Sequence, residues 1–509
     1  MQSKFINKNY NLLVIVTFIF LGTLIYSNTF FSSFQFDDKN SIINNSSIRN
    51  LANLSAIWNF WPNRFITYLS LAINYHFHKL NVFGYHLFNL IVHLLSAALV
   101  WRLSLLTFVA PLIKNDEISK HAKLLSFFIG LIFLVHPIQT QGVTYIIQRA
   151  ASLGTLFYLF SLVLYVKSRQ VQYNRNNSII WMFYFVGSLM LTIMAFFSKE
   201  MTITLPFAIL LYEFCFLKTG KDINRKQLVY YFLALSIIPF IMFVTKSADF
   251  IEMRRISEPI ANIPPWHYLL TQFRVIVTYI RLLFAPLYQN VDYDYPIADN
   301  LFVLPTFVSL LFLITILIVV IRIFCRFRLI SFGIFWFFVT ILPESSIVPI
   351  KDVIFEHRLY LPMVGFSFFL ASSLYYFLGR KSLKIMILIL VLLVNWYSSL
   401  TYTRNFDWKD EFSLWDDTVR KSPRKARPNN NRGVTRASMD NFDQAISDFN
   451  TAIQIDPNYY EAYVHRGNAY ASKGNFAKSF SDYEKRSQSA ILTQKGRGVV
   501  SKTFPWSAS

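Results

Sequence analysis

Carboxylates, cations and histidines recur in alternate loops of this sequence, mostly within a few residues of the end of an apolar segment. The members of this set are Asp37, Asp38, Arg64, His136, Arg149, Lys199, Glu200, Arg254, Arg255, Asp292, Asp294, Glu344, Glu356, His357 and Arg358. Lipid does not solvate charge, so ionisable side chains near membrane level are functional candidates. An outward-facing polar cavity between helices would bring them together.

The residue types in this set fit the displacement of a lipid phosphate from a sugar carbon by a hydroxyl group. The leaving group is already an anion, so no general acid is required. Cations must stabilise the charge that builds on the phosphate, and a carboxylate must take the proton from the attacking hydroxyl. The same residues could bind an anionic substrate for transport, so residue types alone leave both functions open.

The elements that position these residues must be membrane helices. The 509 residues are 54% hydrophobic and 15% charged, whereas soluble domains carry about 25% charged residues. Such a chain requires lipid as its main solvent. Its net charge of +21 would indicate nucleic-acid binding in a soluble protein. Here the basic residues lie between apolar runs, where they set topology, and we expect no nucleic-acid partner.

Eleven apolar runs are long enough to be spanning candidates. They cover roughly residues 11–30, 85–108, 123–137, 150–167, 178–197, 201–217, 228–246, 302–322, 329–343, 361–378 and 383–402. Every second loop is rich in Lys and Arg. This pattern predicts a cytoplasmic N-terminus and places the chain after about residue 403 outside. Residues 268–286 contain Arg274 and Arg281 and are predicted as an amphipathic or re-entrant helix on the outer face, with a twelfth spanning helix as the alternative.

The C-terminal part repeats with a period of 34 residues over 429–486. Gly433 corresponds to Gly467, and Asp448 corresponds to Asp482. This period with small residues at fixed offsets is typical of tetratricopeptide helical hairpins, which present a concave surface to polypeptides. We therefore predict a membrane domain over 1–402, a linker with a capping helix over 403–428, about two repeats over 429–486 and an irregular tail over 487–509.

Several motifs occur in an order that resembles a known family. Phe36-Asp37-Asp38 follows the first apolar run, and HPIQTQGVTYIIQR (136–149), SKE (198–200) and EHRLYLP (356–362) come later in the chain. A segment with Trp408, Trp415 and Pro423 then precedes the repeats. The series resembles GT-C fold glycosyltransferases with tetratricopeptide tails, related to the TMTC protein O-mannosyltransferases.

This resemblance implies an all-α, GT-C-like bundle that transfers one sugar, with inversion, from a polyprenyl-phosphate donor in the outer compartment. The acceptor would be a hydroxyl group, most naturally of a protein Ser or Thr brought by the repeats. The first-loop acid that serves the acceptor is then Asp37 or Asp38. Arg358 and Lys199 would face the donor phosphate. The outer compartment would be the periplasm at a bacterial inner membrane or the lumen of an ER-type membrane.

Other candidate residues have structural alternatives. The donor site could extend to the residues Glu356, His357, Glu200, Arg64 and Arg149. Lys199 and Glu200 could instead form an ion pair between helix ends, and Arg149 could be an interface anchor. His86 and His93 are predicted as hydrogen-bonded core histidines. Asp292 and Asp294 could bind a divalent cation or belong to a tyrosine-rich turn.

Two other classes of function remain open at the level of the sequence. A transporter or flippase of lipid-linked sugar would need charges within its helices and inverted repeats. A non-enzymatic scaffold would need only one helix as an anchor.

Overall fold

The computed structural model describes residues 2–173, 178–218, 225–237 and 263–486, and within these ranges the chain contains helices but no strand. The all-α prediction is therefore confirmed. We number the α-helices in chain order as α1 Gln2–Ile25, α2 Leu54–Phe60, α3 Phe65–His78, α4 Val82–Phe108, α5 Ala122–Val135, α6 Thr140–Val143, α7 Arg149–Tyr173, α8 Ser178–Phe196, α9 Leu205–Tyr212, α10 Arg225–Leu235, α11 Pro265–Phe284, α12 Leu304–Ile323, α13 Arg328–Ile341, α14 Pro362–Leu374, α15 Leu383–Phe406, α16 Glu411–Lys421, α17 Ala426–Ser438, α18 Phe442–Ile455 and α19 Tyr460–Ser472.

Eight helical segments of the described chain are long and apolar enough to cross a membrane. They are Val82–Phe108, Glu117–Val135, Ile146–Tyr173, Ile179–Phe196, Glu200–Leu217, Leu304–Ile323, Pro362–Gly379 and Leu383–Phe406. Two shorter apolar helices, Asn9–Ile25 and Arg328–Ile341, match the first and ninth predicted runs. The seventh run, 228–246, lies partly outside the described residues. A polytopic helical bundle is confirmed, while the number of eleven crossings and the orientation stay predictions.

Helices α13 and α14 pack most closely at Gly333 and Gly365. A Cβ atom added to either glycine would lie 2.4 Å from the backbone oxygen of the other. Small residues allow such close approach between membrane helices, which lack a hydrophobic drive to associate in lipid. A cavity of about 350 Å³ adjoins this contact and is lined almost entirely by apolar side chains of α11–α14, including Ile280, Phe312 and Phe366.

The segment predicted over 268–286 forms α11, which is amphipathic. Tyr268, Gln272 and Tyr279 lie on its buried face, and Arg281 is exposed. The Tyr268 hydroxyl donates to the carbonyl oxygen of Glu344 over 2.8 Å. The buried face thus holds α11 against the rest of the bundle, whereas its position relative to the membrane stays a prediction.

Residues 136–149 form a buried run of short helical turns between α5 and α7. Helix α5 ends at Val135, and the Nδ1 atom of His136 then accepts the backbone N–H of Ile138 over 3.2 Å. Pro137 cannot continue the hydrogen bonds of the preceding helix. Helix α5 therefore ends at His136-Pro137, and the His136 side chain caps the short turn that follows.

The chain divides into two compact units. One contains residues up to Gln289 together with Pro296–Lys409, and the other contains Asn290–Tyr295 together with the chain from Asp410. Helix α15 continues to Phe406, beyond the predicted domain end at 402. Helix α16 lies within the stretch predicted as linker and capping helix, and the predicted irregular tail of 487–509 lies outside the described residues.

The second unit repeats its contacts with the period of its sequence. The guanidinium of Arg432 binds Asp448 at 2.8 Å, and that of Arg466 binds Asp482 at 2.6 Å. A Cβ atom added at Gly433 would lie 2.6 Å from the ring of Phe449, so a glycine is needed there for the two helices of a hairpin to pack.

Candidate functional site

Asp38 is a buried carboxylate that holds the loop after α1. Its side chain is 0% exposed. Its Oδ2 atom accepts the backbone N–H of Gln35 at 3.0 Å, and its Oδ1 atom accepts that of Ile147 at 2.8 Å. Burial raises the pKa of Asp38 to about 7, although both backbone N–H groups act to lower it. Asp38 therefore fastens residues 35–38 to the segment 136–149.

Asp37 lies beside Asp38 but is exposed. Its backbone N–H donates to the hydroxyl of Tyr145 over 2.9 Å. The preceding residue, Phe36, has a φ of 45°, in the left-handed region that non-glycine residues rarely adopt. Strained backbone of this kind concentrates at functional sites. The loop thus buries one carboxylate and leaves the other accessible.

Six residues from three separate loops form a second group, which we call the cation cluster: Arg64, Lys199, Glu200, Glu344, His357 and Arg358. Arg64 pairs with Glu200 through Nε–Oε1 and Nη2–Oε2, both 2.9 Å. Lys199 Nζ lies 3.5 Å from Oε1 of Glu344. Burial lowers the pKa of Lys199, and the Glu344 carboxylate opposes that shift. The sequence hypothesis of an ion pair between Lys199 and Glu200 is wrong, because each residue pairs with a partner from another loop.

The short helix Glu356–Leu359 brings Arg358 and His357 to this cluster. Arg358 donates to the backbone oxygens of Val353 and Asp352 at 3.0 and 2.7 Å. Burial, and then the positive charges of Lys199, Arg358 and Arg64, lower the pKa of His357 well below its usual value. His357 is therefore a neutral imidazole whose Nδ1 atom is buried without a hydrogen-bond partner.

The cluster defined in this way contains three cations and two carboxylates, since its residues Arg64, Lys199 and Arg358 face Glu200 and Glu344. The Asp352 carboxylate also acts on Arg358. Lys199 and Arg358 are buried cations, and charges removed from water are stable only when they are paired.

Glu356 is the first residue of the short helix that carries His357 and Arg358. It is fully buried, and Oε2 accepts from the Gln289 side chain at 2.9 Å. Gln289 also donates to the backbone oxygen of Pro137 at 3.2 Å. Gln289 therefore links Glu356 to the segment 136–149 through two hydrogen bonds.

The segment 136–149 connects residues 35–38, which we call the acid loop, to the cation cluster. The backbone N–H of Ile147 donates to Asp38 at 2.8 Å, and the side-chain oxygen of its neighbour Gln148 accepts from Lys199 Nζ at 3.5 Å. Consecutive Cα atoms are about 3.8 Å apart. The buried Asp38 and the buried Lys199 therefore contact adjacent residues of one segment.

The same segment also supports the Glu356–Leu359 helix. The side-chain oxygen of Gln141 accepts the backbone N–H of His357 at 3.2 Å. A Cβ atom added at Gly142 would lie 2.3 Å from the ring of Tyr360. Sequence reasoning selected this segment but missed Tyr145, Gln141 and Gln148 within it. All three are polar side chains in a stretch that is buried except at Gln148.

Arg149 lies at the end of the segment and is fully buried. Its Nε atom donates to Oδ1 of Asn89 at 2.6 Å, and its Nη atoms donate to the backbone oxygens of Ser70 and Tyr85 at 3.3 and 3.1 Å. Asn89 in turn donates to the backbone oxygen of Val143 at 3.0 Å. Arg149 thus binds α3 and α4 to the segment instead of pointing into the cation cluster.

The histidines on α4 take the structural role expected for them. Nε2 of His93 lies 2.9 Å from the backbone oxygen of Leu134, and Nδ1 lies 2.7 Å from the hydroxyl of Tyr360. Nε2 of His86 lies 2.9 Å from the backbone oxygen of Ser32. A carbonyl can only accept, so Nε2 carries the proton in both rings.

Asp292 belongs to the second unit and is an ion-pair partner. Its carboxylate binds Lys425 and accepts from Nε and Nη2 of Arg427, both at 2.6 Å. Burial alone would raise the pKa of Asp292, but the bonds and charges of Arg427 and Lys425 lower it. Asp294 is exposed, and its backbone N–H donates to Ser422. Asp292 and Asp294, for which the sequence left a divalent-cation site open as one alternative, thus have different roles. The described residues contain no group of three metal-ligating side chains.

A helical membrane bundle with an acid loop, a cation cluster and a hairpin-repeat tail defines a polytopic membrane protein with tetratricopeptide repeats. The tetratricopeptide-repeat family profile matches residues 433–474, which confirms the predicted repeats.

Over most of its length the chain is homologous to TMTC-type protein O-mannosyl-transferases, as the order of its motifs predicted. It is 25% identical to Protein O-mannosyl-transferase F38B6.6 of Caenorhabditis elegans, over 88% of this chain and 63% of the relative. It is 24% identical to human Protein O-mannosyl-transferase TMTC3, over 91% of this chain and 53% of the relative. It is also 24% identical to Tmtc3 of Drosophila melanogaster, over 93% and 58%. The chain thus spans between about half and two thirds of these relatives, and no solved structure matches it.

Proposed function

We propose that this protein is a membrane glycosyltransferase that transfers mannose from a polyprenyl-phosphate donor to a Ser or Thr hydroxyl of a polypeptide. The observation that carries the proposal is the attachment of the acid loop and the cation cluster to adjacent residues, Ile147 and Gln148. The names of the homologues supply the sugar and the class of acceptor.

Asp37 is the base in this proposal. A base must reach the proton that it removes, and geometry takes precedence over pKa in choosing it. Asp38 has the pKa suited to a base near neutrality, but its side chain is 0% exposed and both oxygens accept backbone N–H groups. Asp37 is exposed on the same turn. We therefore assign proton removal to Asp37 and loop geometry to Asp38.

The reaction is a single displacement. The acceptor oxygen forms a bond to the anomeric carbon of the sugar while its proton passes to Asp37. The bond between that carbon and the phosphate oxygen breaks, and both electrons leave with polyprenyl phosphate. Attack and departure on opposite faces invert the configuration. Lys199, Arg64 and Arg358 bind the phosphate and stabilise the charge that it gains.

The apolar cavity beside α11 suits the isoprenoid chain of the donor. The hydroxyl of Tyr279 on α11 donates to the backbone oxygen of Phe355 at 3.0 Å, three residues before Arg358. The next residue, Ile280, lines the cavity. One helix therefore contacts the segment that carries the phosphate-binding arginine and also the apolar cavity, as a lipid phosphate would require.

The repeats would bind the acceptor polypeptide on their concave surface, as tetratricopeptide arrays bind extended peptides. We further propose that the acid loop, the cation cluster and the repeats all face the lumen of an ER-type membrane or the periplasm. The alternation of basic loops supports this orientation.

The direct test uses the full chain in detergent, mannose-labelled polyprenyl phosphate and a Ser- and Thr-rich polypeptide. Asp37→Asn should lower the transfer of label at least about 100-fold, the usual effect of losing a general base. Asp299→Asn, the same change at an exposed aspartate, should leave transfer unchanged.

In detergent no membrane separates two compartments, so transport of the donor cannot produce labelled polypeptide in this assay. If the folded wild-type protein transfers no label, the glycosyltransferase proposal is wrong. If Asp37→Asn remains fully active, the assignment of the base is wrong.

A further inference from the structure

Tyr145 contacts the backbone of the proposed base and lies outside the cation cluster. It is 1% exposed. Its hydroxyl accepts the backbone N–H of Asp37 over 2.9 Å, and it also hydrogen-bonds to the Asp37 side chain. A single hydroxyl that accepts from the backbone N–H and donates to the carboxylate would fix both the backbone and the side chain of Asp37.

We propose that Tyr145 is a positioning residue that aims the Asp37 carboxylate at the acceptor hydroxyl. This inference rests on the proposed function. Tyr145 does not touch the sugar or the phosphate in this proposal and acts only through Asp37.

The ring of Tyr145 is held too firmly for the hydroxyl to move away. It stacks on the indole of Trp408 at a centroid distance of 5.3 Å and lies 6.4 Å from the ring of Phe36. Asn89, itself bound to Arg149, donates to the backbone oxygens of Val143 and Ile146 at 3.0 and 3.3 Å on either side of the tyrosine. A fixed support of this kind is what a catalytic group needs to keep its productive geometry.

The left-handed conformation of Phe36 makes the support necessary. A bulky residue at a φ of 45° would return to an extended or right-handed conformation if nothing opposed it. Such a rotation would turn the backbone of Asp37. The Asp38 carboxylate holds the loop on one side, and the Tyr145 hydroxyl holds the Asp37 amide on the other.

Tyr145→Phe tests the inference because it removes one oxygen and keeps the stacked ring. The expected result is a fall of at least about tenfold in kcat, with the KM for the lipid-phosphate donor unchanged within about twofold, since misorientation of a reacting group acts on the rate and not on donor binding. Tyr212→Phe is the matched control. Tyr212 is buried as well, and its hydroxyl shares a hydrogen bond of 2.9 Å with Thr107 of α4.

Hydrogen exchange of the purified full chain gives a second readout that does not depend on activity. In Tyr145→Phe the Asp37 amide loses its acceptor, so the peptide covering 34–41 should exchange faster, by at least about threefold, than in Tyr212→Phe. Unchanged exchange and unchanged kcat each overturn the positioning role. If Asp37→Asn abolishes transfer while Tyr145→Phe behaves as wild type, only this inference fails. If wild type transfers no sugar, the proposed function fails, and the exchange result still decides whether Tyr145 holds the loop.

Discussion

Arg64 and Glu200 are 136 residues apart in the chain and share two hydrogen bonds of 2.9 Å. This pair frees the adjacent Lys199 to approach Glu344 instead. The two neighbours in sequence therefore serve different partners, and three loops of the membrane unit are tied together by charge. In our proposal the cations of this cluster, Arg64, Lys199 and Arg358, bind the anion.

Exchanging the charges of Arg64 and Glu200 distinguishes what the pair contributes to stability from what Arg64 contributes to the reaction. The side chains of Arg64 and Glu200 are 24% and 47% exposed, so the pair contributes at most about 1 kcal/mol to the free energy of unfolding. We expect Arg64→Glu to lower both the melting temperature and the transfer rate. Combining it with Glu200→Arg should restore the melting temperature but not the rate, because the cation then sits on the wrong loop. Full recovery of the transfer rate would contradict a specific contact between Arg64 and the donor phosphate.

Lys199 is expected to bind the donor and not merely to neutralise Glu344. Lys199→Met should raise the KM for the lipid-phosphate donor and lower kcat/KM at least about tenfold. Lys199→Met leaves the Glu344 carboxylate without this partner. Adding Glu344→Gln removes that carboxylate and should recover the stability but not kcat/KM. The exposed Lys381 provides the control substitution, Lys381→Met. Recovery of kcat/KM in the double variant would show that Lys199 only balances charge.

Asp38 should make the stability of the protein depend on pH near neutrality. Its pKa is raised by burial from the ordinary 3.8 to about 7, so the folded protein binds a proton that the unfolded chain releases. That contribution is complete at acid pH and is lost as pH rises through the folded pKa. Thermal unfolding in detergent should therefore show a fall in melting temperature between about pH 4 and about pH 7, and Asp38 should cause no further fall at higher pH. The fall should be smaller in Asp38→Asn, and equal slopes for both proteins would refute the shift.

Arg149 should matter for folding more than for donor binding. Its loss leaves three oxygens, on Asn89, Ser70 and Tyr85, without a donor, and each unsatisfied buried group costs about 1–3 kcal/mol. Arg149→Met should lower the melting temperature strongly. Arg149→Lys should recover only part of it, since an ammonium cannot reach three acceptors with the geometry of a guanidinium. A folded Arg149→Met protein with a selective rise in donor KM would instead place Arg149 at the phosphate.

Hydropathy and repeat periodicity were sufficient to predict the helical bundle and the tetratricopeptide tail. Both signals are local, since a spanning helix needs about 20 apolar residues and a hairpin repeat recurs every 34. The order of the motifs, through the family that it resembles, named Asp37, Lys199 and Arg358 as candidate site residues.

The pairing within the site could not be predicted in the same way. Whether Asp37 or Asp38 is accessible depends on the backbone N–H of Ile147, and a backbone group has no signature in the sequence. The partners of Arg64, Lys199 and Asp292 come from loops that are remote along the chain. Charge patterns show that cations and carboxylates are present, but packing decides which of them meet.

The pairing of Asp292 with Lys425 and Arg427 sets an order for biosynthesis. The partners are 133 and 135 residues further along the chain, which corresponds to roughly 7–27 s of translation at about 5–20 residues per second. During that interval the loop Asn290–Tyr295 has left the ribosome with its carboxylate uncompensated. The loop can therefore reach its final conformation only after the start of α17 has been synthesised, so the second unit is completed late even though part of it is made early.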